Sequence, residues 1–135
     1  MLFGSAMHLL VHVIMEGEPG ENTARLWQMI QDKYKEFGTA HRCGTMKMSM
    51  FSPGGGPKLR GTAAVVRCIG PVLHSIWEDL CKSKLRVYGQ VELCLRTSAH
   101  LERILDQNKK EFTLQGRVWK MLMGVFCFAY LVVYI

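Results

Sequence analysis

The sequence has no CxxC pair, no internal repeat and no basic leader ahead of its first apolar stretch. Its five cysteines, Cys43, Cys68, Cys81, Cys94 and Cys127, form an odd set, and three of them lie near apolar stripes of helical pattern. That argues against a disulfide framework and for reduced, structural thiols in a cytosolic or nuclear setting. With 135 residues and no repeat to stack, one modest core is expected, with no room for a separate catalytic domain. The opening run Met1–Met15 lacks the charged start of a signal peptide and is shorter than the roughly 20 residues that span a bilayer. It is expected to be a buried helix.

Motifs that would specify a reaction are missing too. Gly54-Gly55-Gly56 stands near Lys58, Arg60 and Thr62, but Pro57 interrupts the run and deletes one of the backbone N–H groups a phosphate loop needs. Nucleotide hydrolysis is therefore not expected. His74-Ser75 and Ser98-Ala99-His100 are the nearest approaches to a nucleophile beside a base, and neighbours on a helix point apart. A zinc set drawn from His41, Cys43, Cys68 and His74 has no C-x₂₋₄-C or H-x₃₋₅-H spacing. His8, His12 and Glu16 share one helix face, and Met46, Met48 and Met50 alternate near His41 and Cys43; the first set reads as the polar edge of a core helix and the second as an apolar edge on a core. Glu78-Asp79 reads as a solvated face. No metal, cofactor or catalytic residue is expected.

What the chain does have is an ordered composition, 49% hydrophobic and 21% charged, and a net charge of +6. The excess is local. Lys33, Lys35, Arg42, Lys47, Lys58, Arg60 and Arg67 face Glu36 alone within their span, and the rest of the chain is neutral. With Tyr34, Phe37 and Phe51 interleaved, this region is the candidate surface for an acidic protein, an anionic lipid or a nucleic acid. No helix-turn-helix, zinc-finger or RNP signature accompanies it. An anion is also expected to suit the start of the following helix.

The helical pattern is strongest between Lys58 and Lys84. Val65, Ile69, Val72, Leu73, Ile76 and Leu80 recur at three- and four-residue steps, with Arg67, His74, Ser75, Glu78 and Asp79 on the other side. Thr62 is the expected N-cap, Lys82 and Lys84 suit the C-terminal end, and Gly70-Pro71 predicts a bend. A second helix is expected from an Asn22 cap through Leu26, Trp27, Ile30, Tyr34 and Phe37 to a terminating Gly38. A third runs from about Tyr88 to Asn108 on Tyr88, Val91, Cys94, Leu95, Leu101, Ile104 and Leu105. Residues 39–57 lose the helical period; Met46–Phe51 alternates like a short strand, and Ser52–Pro57 is a loop.

The tail, residues 117–135, is apolar on every side after Lys120. Counted from Val118 it holds 18 residues, about 27 Å as a helix against a hydrocarbon layer of roughly 30 Å. Lys109, Lys110, Arg117 and Lys120 stand on its N-terminal side, and Trp119 and Tyr134 near its two ends, an arrangement that suits a tail anchor with the bulk in the cytoplasm. The same residues would also serve as a core element, or as an interface of a longer protein. The expected fold is all-α: four or five helices bundled around a bent central helix, with residues 1–116 as one domain, an irregular basic segment at 39–57 and a strongly apolar C-terminal helix. The expected function is a non-enzymatic interaction module, membrane-associated through the tail; the alternative is a soluble cytoplasmic or nuclear, nucleic-acid-associated domain whose tail belongs to the core.

Overall fold

A computed structural model describes residues 2–47, 49, 62–82 and 85–108. Among these the regular elements are all helical. Helix α1 (Leu2–Leu9) runs directly into a short π-helix (Leu10–Ile14), followed by α2 (Pro19–Glu36), α3 (Ala63–Leu80) and α4 (Arg86–Gln107). Of the alternating stretch Met46–Phe51, the described residues Met46, Lys47 and Ser49 are not in a strand; Met48, Met50 and Phe51 lie outside the described residues. So do Lys58, Arg60 and the whole tail. Among the described residues no helix is long and apolar enough to cross a membrane.

The first helical segment is built as its apolar run demands, with Ala6, Met7, Leu10, Val11 and Met15 in the core. Its reversal into α2 corrects one expectation. Pro19 occupies the first turn of α2 and Glu18 its N-cap, so Asn22 is inside the helix and caps nothing. Instead its buried Nδ2 donates to the carbonyls of Val11 (2.9 Å), Met15 (3.1 Å) and Gly17 (3.2 Å). The Val11 and Met15 carbonyls stand at the end of the π-helix, where helical donors run out, and that of Gly17 in the turn beyond it; the amide takes the place of water. Gly17, at φ 114°, makes the turn in a conformation that side-chain-bearing residues rarely adopt.

Helix α2 buries Leu26, Ile30 and Tyr34 completely, one per turn, and ends at Gly38 in the left-handed region (φ 62°) as its sequence predicts. Phe37, expected on that stripe, is 45% exposed because it lies past the last helical turn. Thr62 caps α3, accepting from the Val65 N–H at 3.4 Å. Ile69, Val72, Leu73 and Ile76 are buried as the spacing requires, and Trp77 joins them, its ring edge-on to Tyr88 at 6.1 Å.

Helix α3 touches α1, the π-helix, α2 and α4, and α4 is its most extensive partner. Gly70 marks the crossing: a Cβ there would stand 3.1 Å from the Phe3 ring and 3.6 Å from Ser98 Oγ, so the small residue lets α1 and α4 close on α3 at one level. Helix α4 contributes Leu95 and Ile104 to the interior and is closed by Asn108, whose Nδ2 donates to the Ile104 carbonyl at 2.8 Å.

Candidate functional site

Two adjoining depressions are formed where α3 and α4 lie side by side. The larger, about 700 Å³, opens between the loop after α2, the first half of α3 and the last turns of α4. Ala64, Pro71, Ala99 and Leu105 give it apolar walls; Arg67, Glu102, Arg103 and Asp106 give it polar ones. Small residues on facing helices leave this space, since Ala64 and Ala99 fill little of the gap. Arg67 Nε donates to Glu102 Oε2 at 2.7 Å, tying α3 to α4, with Glu102 the more buried partner at 18% exposure. One such contact uses one of the five guanidinium N–H groups.

The third wall is held by Tyr34. Its hydroxyl accepts the Cys43 N–H at 3.3 Å, and the Cys43 thiol in turn donates to the Thr45 carbonyl at 3.2 Å. Burial pushes the Tyr34 phenol above its ordinary range, partly offset by that N–H. Within the loop so pinned, Arg42 Nε donates to the Thr39 carbonyl at 2.8 Å, and Thr39 and His41 border the cleft.

The smaller depression, about 470 Å³, shares Ala99 and Arg103 with the first. Its other lining residues are His74, Arg96, Thr97 and His100. Two arginines and two histidines therefore meet without a carboxylate in the lining. Arg96, His100 and Arg103 are each exposed. Their spacing of four and then three residues along α4 puts them on one face.

Of the seven basic residues expected from the sequence, five are described, Lys33, Lys35, Arg42, Lys47 and Arg67, while Lys58 and Arg60 lie outside the described residues. Lys33 is turned toward α3, with Glu36 Oε2 at 3.1 Å, Asp79 Oδ2 at 3.8 Å and the Phe37 ring beneath it at 5.8 Å. Its pKa is raised, chiefly by the hydrogen bond to Glu36 and against the effect of burial. Lys35 pairs with Asp32 at 3.4 Å. Arg42 folds back on its own loop, Lys47 is exposed, and Arg67 alone of the described five lines the larger cleft. The sequence window began at Lys33, one residue after Asp32, and charges remote in sequence complete the balance. Arg96, His100 and Arg103 were missed because each stands alone in the sequence among neutral or acidic neighbours; their helical spacing was the available signal.

His8 and His12 stack with ring centroids 4.4 Å apart. Among the described residues, the three donors that converge closely enough for a metal are those of His74, Glu78 and Glu92, none from that pair. The described cysteines Cys43, Cys68, Cys81 and Cys94 are free, and burial pushes the Cys94 thiol up, away from the reactive thiolate. Comparison with protein-family models, with curated proteins and with solved structures finds no match to this chain.

Proposed function

We propose that the chain is a non-enzymatic helical interaction module that takes an acidic segment of a partner protein along α4. The observation that carries this is the depression lined by His74, Arg96, His100 and Arg103 with no carboxylate among its lining residues, opening beside a cleft of about 700 Å³ with both apolar and polar walls. Cations select the partner's sign and speed encounter, while Ala64, Pro71, Ala99 and Leu105 offer a place for an apolar anchor beside the acid. A protein segment supplies both kinds of group on one chain; a nucleic acid would call for exposed aromatic stacking surfaces, and Phe37 is the one aromatic residue in the lining of the cleft.

In this reading the helices pack as a bundle about a bend at Gly70-Pro71, which opens the cleft where Pro71 lies, and the tail, residues 117–135, tethers the module to a membrane with α4 on the cytoplasmic side. The test is fluorescence anisotropy of the full chain with a labelled Glu/Leu peptide, with a single-stranded oligonucleotide of equal charge as the rival. Binding of the peptide that weakens more than about tenfold in R96E/R103E, with the circular dichroism unchanged, is expected. Tighter binding of the oligonucleotide, or indifference to the charge reversal, would overturn the proposal. For the tether, alkaline-carbonate extraction should leave the full chain in the membrane pellet and release a chain ending at Gly116; extraction of both would sink it.

A further inference from the structure

The geometry points to a divalent-metal site between α3 and α4, formed by His74 Nε2, Glu78 and Glu92. Two observations carry it independently. The three donor atoms lie within 4.8 Å of one another. And His74 Nε2 is buried with no hydrogen-bond partner, its nearest opposite charge being Glu78 Oε1 at 3.8 Å, too far for a hydrogen bond. A buried ring nitrogen without a partner is costly, and an ion in contact with it is one of the few arrangements that removes the cost.

The fold explains the convergence. His74 and Glu78 are one turn apart on α3 and so share a face, and Glu92 faces them from α4 across the most extensive helix pairing in the molecule. The point equidistant from three atoms at the limit of that separation lies about 2.8 Å from each, against metal bonds of roughly 2.0–2.2 Å to histidine nitrogen and carboxylate oxygen, so a closure of under about 1 Å completes the contacts. Glu78 supplies the freedom for it, since its side chain is 55% exposed while that of His74 is 16% exposed. One imidazole and two carboxylates neutralise a divalent charge and suit Zn²⁺, Co²⁺ or Mn²⁺ rather than a thiolate-seeking metal. The remaining positions fall to water.

The rival structure is an ion-pair cluster in which the carboxylates of Glu78 and Glu92 are shared by protonated His74 and by Arg96, one turn beyond Glu92 on α4. Co²⁺ alone, titrated into the chelator-treated, thiol-reduced full chain, separates the two. The expected result is one equivalent bound with visible d–d bands and no near-ultraviolet thiolate charge-transfer band. The affinity should fall by more than about tenfold, the loss that removal of even an outer-shell partner causes, in both E78Q and E92Q. Both substitutions keep the side chain's shape and sit on partly exposed positions, so the fold is checked by circular dichroism on the same samples. Absence of binding by the folded chain, a thiolate band, or an affinity untouched by E92Q would overturn the site.

Discussion

Tyr34 shows how one side chain links the core to a wall of the larger cleft. It is fully buried, and its hydroxyl is the anchor for Cys43 in the loop that borders the larger cleft. Replacing it with phenylalanine keeps the packing and strands a buried N–H, a loss of about 1–2 kcal/mol in urea denaturation at neutral pH. The phenol's raised pKa adds a pH signature. The unfolded chain releases its proton from about pH 10 while the folded chain still holds it, so stability from this group is complete below that pH and falls above it. The gap between the natural protein and Y34F should therefore narrow as pH rises past 10, and a constant gap would place the phenol in water. The sequence placed Tyr34 on the buried face, but the loop it anchors has no periodicity from which a partner could be read.

At the scale of elements, the reversal between the first helical segment and α2 depends on two residues. Asn22→Ala removes donors to three carbonyls and should cost about 2–3 kcal/mol, read as a shift in the urea midpoint. Asn22→Asp should cost more at neutral pH, because a carboxylate can only accept, and should recover toward acid as the carboxyl gains a proton to donate. Gly17→Ala should lose about 1–2 kcal/mol through its backbone conformation alone. Existence and extent of α2, α3 and α4 were legible from apolar spacing, and Thr62 and Gly38 as boundaries from cap chemistry. Asn22 misled for a physical reason: cap rules read three or four residues, whereas Pro19 had already started the helix and the amide's partners belong to the preceding element. Trp77, four residues beyond Leu73, continues the same three- and four-residue spacing, and its ring meets Tyr88 edge-on.

At the scale of the whole molecule, among the described residues Trp77 is the largest side chain buried almost completely, and Trp77→Ala should remove about 3–5 kcal/mol, a large share of the 5–15 kcal/mol that typically holds a domain together. Far-ultraviolet circular dichroism during urea titration would show it, and a shift of the midpoint without loss of the transition's sharpness is expected of one cooperative core. The charge layout, too, belongs to this scale. Lys33 and Arg67 pair with Asp79 and Glu102, residues far along the chain, so two charges of the basic region meet acids that its own span does not contain, while α4 places Arg96, His100 and Arg103 on one face. The crossing of Phe3 over Gly70 has a consequence for synthesis. The ribosome delivers Leu2–Met15 first and its seat on α3 only after Gly70 and Pro71, an interval on the order of 3–10 s at about 5–20 residues per second. During that interval the first helical segment has only α2 to pack against, so its seat on α3 closes late in synthesis.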